Sequence, residues 1–152
     1  WDHIMGFPFF GPAYVPGTRL RIYGCHGHLE EALRRQQEPP SFPVPFAHLT
    51  ATIEFVPLVP GATCEVAGVK VTAAPQFHSG DSYGFRFERD GKSFVYSTDS
   101  EHKLDDIRET QRIVEFFRGA DLVIDSIGDL PQAIAIIDAR LAAGERPTAA
   151  PG

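Results

Sequence analysis

Four residues of this 152-residue chain have types and spacing that could do metal chemistry. Asp2 and His3 stand side by side in Trp1-Asp2-His3. His78 follows in Phe77-His78-Ser79-Gly80, and Asp99 in Tyr96-Ser97-Thr98-Asp99. Neutral imidazole and carboxylate are the ligands that zinc accepts, and a paired site needs one ligand able to bridge both ions. A carboxylate at the end of a sheet strand suits that bridging role, because it has two oxygens and stands on an exposed rim. Taken singly, each residue has an ordinary reading. A lone histidine such as His78 is more often a surface or hydrogen-bonding residue. Asp99, with Ser100-Glu101-His102 after it, has the form of a turn or helix cap. Asp2-His3 by itself would mean nothing, so the ordered combination carries the expectation.

The elements that must position these groups can be read from periodicity. Residues 4–16, rich in aromatics, Gly and Pro, read as a loop or short helical turn. Arg19-Leu20-Arg21-Ile22-Tyr23 alternates polar and apolar residues and reads as a half-buried strand ending at Gly24. Leu29 to Gln37 reads as a helix, with Glu30 and Glu31 at its start and Arg34 and Arg35 at its end, as the helix dipole favours. Pro39, Pro40, Pro43 and Pro45 then predict an extended, non-helical passage.

Short strand-like runs follow at Thr52–Val56, Cys64–Val66 and Val69–Ala73. Tyr83–Glu88 and Lys92–Ser97 flank Arg89-Asp90-Gly91, where Asp-Gly predicts a tight hairpin turn. Leu104 to Phe117 has helical spacing, and Ala120–Ile124 reads as a buried strand. Strands followed by helix and strand predict a layered α+β domain with mixed sheets. Pro131 to Ala143 has the composition of a helix, and the Pro-, Ala- and Gly-rich stretch after it of a frayed tail.

Composition bounds the function. With 43% hydrophobic residues, the chain can bury one sizeable core. A formal charge of −6 and a pI of about 5.4 make nucleic acid an unfavoured partner. A small phosphorylated substrate is compatible, because a bound metal dominates the local field. No apolar run is long enough for a membrane span, no signal-peptide pattern is present, and a cytoplasmic location is expected. Cys25 and Cys64 form no CxxC pair and read as buried or incidental thiols.

The residues also support a resemblance. Trp1-Asp2-His3-Ile4-Met5-Gly6-Phe7-Pro8-Phe9-Phe10 looks like the tail of the HxHxDH motif of metallo-β-lactamase-fold hydrolases. His78-Ser79-Gly80-Asp81-Ser82-Tyr83-Gly84-Phe85-Arg86-Phe87-Glu88 resembles the third-ligand histidine and following strand of the ribonuclease Z and phosphodiesterase-like branch. Tyr96-Ser97-Thr98-Asp99 is similar to that branch's strand ending in the bridging aspartate, and Ala120 to Asp125 to its next strand. The resemblance implies a four-layer αββα sandwich over residues 1–126, with 127–152 a divergent helix and frayed tail. It implies that Asp2 and His3 ligate a second metal, His78 a first, and that Asp99 bridges them. Asp2 would also orient or deprotonate the nucleophilic hydroxide.

Two further first-metal histidines of the family would precede residue 1, and a second-metal histidine expected beyond Asp99 has no match, since no histidine follows His102. The expectation is therefore a chain truncated at both ends. It would hold one zinc weakly or none, where the family holds two, with manganese as an alternative ion, and it would show little hydrolysis. His102 is a further candidate, behind the ligands or as a proton donor. His26-x-His28 reads as a helix-start or surface pair, and His48 as structural. Glu30, Glu31, Asp105 and Asp106 read as solvated helix-end charges. Phe7, Phe9 and Phe10 read as core, with a cleft wall as the other reading.

The implied function is metal-dependent hydrolysis of a phosphodiester or small ester, impaired in this chain. A tRNA-processing role fits the acidic charge poorly, and a β-lactamase role lacks a secretion signal. The alternatives are a non-catalytic remnant or binding module that keeps the scaffold, and an unrelated α+β domain with coincidental His and Asp residues. The sequence is compatible with a homo-oligomer.

Overall fold

The computed structural model describes residues 3–101 and 107–124. Asp2, His102, Asp105, Asp106 and the tail after Ile124 therefore lie outside the described residues. The backbone gathers into two compact units, residues 1–58 and 59–152.

The first unit opens with 3-10 turns at Phe7–Phe9 and Gly11–Tyr14, each with proline in its first turn. Strand β1 (Arg19–Gly24), helix α1 (Leu29–Gln36) and strand β2 (Thr52–Pro57) follow, and β1 and β2 pair in parallel. Parallel neighbours need a crossover, which α1 and the segment after it supply. Arg21 and Glu54 are opposite each other in the register and form an ion pair at 2.9 Å.

Phe46 is the hub of this unit. It stacks on Phe7 at 6.1 Å, lies 6.2 Å from Phe55, and carries the Arg34 guanidinium 4.5 Å over its face. Of the aromatic run read as core, Phe7 joins the packing. Phe9 is 77% exposed, with its ring edge-on to Phe42. Ala13 is buried, and its carbonyl accepts from the amides of Thr50 and Ala51.

The proline-rich passage is a correction to the expected extended run. Prolines do end the helix, but the amides of Ser41 and Phe42 return to the Glu38 carbonyl and fold the passage into turns. Two buried glutamines precede it, and Gln37 ties it back to the end of the helix. Gln36 donates to the Ile4 carbonyl at 3.0 Å and Gln37 to the Val44 carbonyl at 3.3 Å. Such groups must find partners when removed from water.

The second unit is one five-stranded sheet in the order β3 (Thr63–Val66), β4 (Val69–Gln76), β5 (Ser82–Arg89), β6 (Lys92–Tyr96), β7 (Leu122–Ile124). The first four are antiparallel, and β7 joins β6 in parallel after helix α2 (Ile107–Phe117). The expected hairpin is present, with Arg89 paired to Lys92 and both turn residues at positive φ, Asp90 at 51° and Gly91 at 72°. That is the primed turn whose twist matches the strands it joins.

One face of the sheet carries Phe85, Phe87 and Phe94, with Phe87 and Phe94 stacked at 4.4 Å. The other carries Gly84, Arg86 and the fully buried Val95, and receives α2. Arg86 donates to the carbonyls of Phe116 and Arg118 at 3.0 and 3.1 Å, so a cation caps the C-terminal end of the helix. The arginine of the resembling motif is thus a helix cap. Asp121 accepts from the Ser93 amide at 2.8 Å and pairs with Lys92 at 3.1 Å, aligning β7 on β6.

Neither cysteine forms a disulfide, and both are half-buried. No helix among the described residues is long and apolar enough to cross a membrane.

Two stability predictions follow from these anchors. Arg86→Met leaves helix carbonyls without a partner and should cost about 1.5–3 kcal/mol in denaturant unfolding. The Asp121 carboxyl is held below the ordinary carboxylate range, first by the Ser93 amide and further by Lys92, against the opposing effect of desolvation. A depressed folded pKa stabilises above the unfolded value of about 3.9 and is lost as pH falls through the folded one. Asp121→Asn should therefore flatten the acid limb of the stability profile below about pH 4.

Candidate metal-binding edge

β4 and β6 run in the same direction, because β5 returns between them. Their C-terminal ends therefore share one edge of the sheet. His78 lies two residues past the end of β4, and Asp99 three residues past the end of β6. Distant in sequence, they approach to 4.0 Å between Nε2 and Oδ2. Both stay open to solvent, His78 at 31% and Asp99 at 42% of the side chain.

The two loops are tied to one another. The Glu101 amide donates to the Phe77 carbonyl at 2.6 Å, and Ser82 Oγ to the Asp99 carbonyl at 3.0 Å. Glu101 Oε1 lies 3.4 Å from His78 Nδ1. That nitrogen is buried and makes no aligned hydrogen bond, so this contact is one of proximity. Asp99 sits in the left-handed region with φ of 53°, a conformation that Asp and Asn adopt more readily than other side chains.

The pair suits zinc in donor type. Zinc bonds to nitrogen and oxygen of about 2.1 Å place two tetrahedral ligands roughly 3.4 Å apart. The 4.0 Å separation is close to that and reaches it with a small side-chain rotation. Zinc normally takes at least three protein ligands, and among the described residues no group of three or more His, Cys, Asp or Glu is arranged to hold a metal. This edge thus supplies two donors of a site.

His3 belongs to the first unit, where it is exposed and precedes Ile4, whose carbonyl Gln36 holds. His28 is exposed at the start of α1, 3.6 Å from Glu31, and His48 is exposed at the end of a 3-10 turn. His28 thus stands at the surface at the start of the helix, as expected. Two shallow concavities of about 540 Å³ lie along α1 and α2, and neither includes His78 or Asp99. The open rim carries the chemistry-bearing side chains, so it remains the candidate.

Sequence reasoning missed Gln76. Its Nε2 donates to Ser97 Oγ at 2.8 Å and reaches the Thr98 carbonyl at 3.4 Å. Its position two residues before His78 was the available signal, but glutamine at a strand end has no distinctive pattern.

A mixed α+β scaffold with a histidine and an aspartate at neighbouring strand ends matches the metallo-β-lactamase fold. The family model described as "Beta-lactamase superfamily domain" matches residues 1–136, and the chain belongs to that superfamily. Among solved structures, it is similar to the metallo-β-lactamase fold protein YhfI from Bacillus subtilis, with a TM-score of 0.56 and 19% identity. That match covers 80% of this chain and 43% of the B. subtilis chain. The human short-form tRNase Z matches with a TM-score of 0.47 and 17% identity, over 78% of this chain and 51% of that one. The chain thus spans less than half of the first structure and about half of the second. No curated protein sequence matches it.

Substitutions at Asp99 separate its backbone role from its carboxylate. Asp99→Asn should change stability by no more than about 0.5 kcal/mol, as asparagine shares the tolerance for positive φ. Asp99→Val, β-branched at the same φ, should cost about 1–3 kcal/mol in thermal or urea unfolding.

Proposed function

We propose that this chain carries part of the centre of a metal-dependent hydrolase acting on a phosphodiester or small ester, of the ribonuclease Z and phosphodiesterase-like kind. The observation that supports it most is the 4.0 Å approach of His78 and Asp99 at one sheet edge, the two residues that the sequence resemblance implies as metal ligands. In the arrangement that the resemblance implies, His78 would ligate a first ion, Asp2 and His3 a second, and Asp99 would bridge them, zinc being the expected metal and manganese the alternative. When bound, the metal would lower the pKa of a water toward neutrality and polarise the scissile ester oxygen.

The protein's own groups have separable tasks in this reading. The two oxygens of Asp99 allow bridging, and the bond from Ser82 to its carbonyl fixes the loop that presents them. Glu101 beside His78 Nδ1 favours the orientation that turns Nε2 toward Asp99. Asp2 would accept the proton of the nucleophile, and His102 would donate one to the leaving group. With a net charge of −6, an anionic substrate depends on the cation at this edge for attraction. A second reading is a binding module that keeps the scaffold without catalysis, since among the described residues two donors meet at this edge, where zinc normally takes at least three.

The 152-residue protein should bind zinc weakly in calorimetric titration, and His78→Ala or Asp99→Ala should weaken binding by more than about tenfold. Its hydrolysis of bis-p-nitrophenyl phosphate with zinc or manganese should stay near background. Expressed with flanking coding sequence that supplies a His-x-His before Trp1 and a histidine downstream, it should hydrolyse the ester only when metal is added. Background activity in that longer protein would remove the hydrolase reading and leave the binding module.

A further inference from the structure

We infer that Gln76 is the positioning residue of this edge, the side chain that holds the Ser97–Asp99 segment at its distance from His78. The register makes this possible. Ala74 pairs with Gly84 and Gln76 with Ser82, while Phe85 pairs with Tyr96. Extending the β5–β6 register by one residue puts Ser97 beside Gly84, on the same face as Gln76. Gly84 has no side chain, so a channel crosses β5 there, and the Gln76 amide lies in it. A Cβ at Gly84 would stand 2.7 Å from Gln76 Oε1 and 3.0 Å from the Phe116 ring of α2. The glycine of the motif is therefore a gap for this glutamine and for the helix, where any larger residue would force both to move.

The orientation of the amide follows from its partners. The Thr98 carbonyl can only accept, so the nitrogen end must face it, and the same nitrogen donates to Ser97 Oγ. The oxygen end is left buried without a hydrogen bond, which marks the nitrogen contacts as the ones that set the rotamer. Ser97 is 3% exposed, and its own amide donates to the Ile124 carbonyl at 2.8 Å. With Ser82 holding the Asp99 carbonyl, the segment that carries Asp99 is fastened from β4, β5 and β7. Gln76 ties it to β4, the strand that leads to His78, while the Glu101 amide ties the residues after Asp99 to the Phe77 carbonyl. It acts through Ser97 and Thr98 and so sets where the carboxylate stands, without touching an ion or substrate.

The test compares wild type with Gln76→Met, which keeps the length and fills the channel without a donor. Gln76→Glu, equal in shape, serves as the second variant should methionine prevent folding. Hydrogen–deuterium exchange should accelerate by about tenfold or more in residues 98–101 and stay unchanged in the 82–96 hairpin. Zinc affinity, read by calorimetry, should fall by roughly tenfold to a hundredfold. Ser97→Ala, which keeps the Thr98 contact, should do less on both measures. Unchanged exchange in residues 98–101 of a folded Gln76 variant overturns the assignment, whatever the zinc affinity. The zinc arm rests on the metal reading proposed above, and the exchange arm does not. Accelerated exchange in a protein whose wild type binds no zinc supports the positioning role and removes the metal reading. Unchanged exchange with intact zinc binding does the reverse.

Discussion

The antiparallel succession β4–β5–β6 is the constraint on which the candidate edge depends. Because β5 reverses direction between them, β4 and β6 point the same way and end at the same rim. Backbone pairing brings together the strand ends that lead to His78 and Asp99, residues 21 positions apart in sequence. The side chains then refine that meeting. Ser82, at the start of the returning strand, holds the carbonyl of Asp99, and Glu101 ties its loop to Phe77. The rim is open and polar, yet its backbone is held at several points, which suits a group that must present a carboxylate without relaxing away.

The same sheet shows why residues of one motif have different duties. Along β5, Gly84 and Arg86 sit on the face that receives α2. One makes room for Gln76 and Phe116, and the other caps the carbonyls at the end of the helix. Neither is placed to do chemistry, but each fixes something that the chemistry-bearing loops stand on. Across the strand, Phe85 and Phe87 join an aromatic cluster with Phe94. A strand whose two faces perform such different packing tasks tolerates no slip in register, since a one-residue shift would exchange them.

Much of the fold was legible before the structure. Asp90-Gly91 announced its hairpin because few dipeptides accept two positive φ angles, and the alternation of Arg19–Tyr23 and Thr52–Val56 announced β1 and β2. The proline-rich passage was misjudged as extended, since proline forbids helix but leaves turns open, and the return of two amides to Glu38 decides between them. Phe9 was read as core on its residue type, while its position on a 3-10 turn turns it outward. The buried amides of Gln36, Gln37 and Gln76 were invisible, because a polar side chain is buried for the sake of a partner that only the folded chain supplies.

Residue type and local pattern by themselves determined the strands, the tight turn, the helices and the identity of His78 and Asp99 as metal-capable groups. These rest on short-range physics, in backbone sterics, period and ligand chemistry. The tertiary structure alone decided that His78 and Asp99 meet, that Arg86 caps a helix, and that Gln76 crosses Gly84 to reach Ser97. Each of those depends on register between strands, and register is set by pairings whose partners are far apart along the chain.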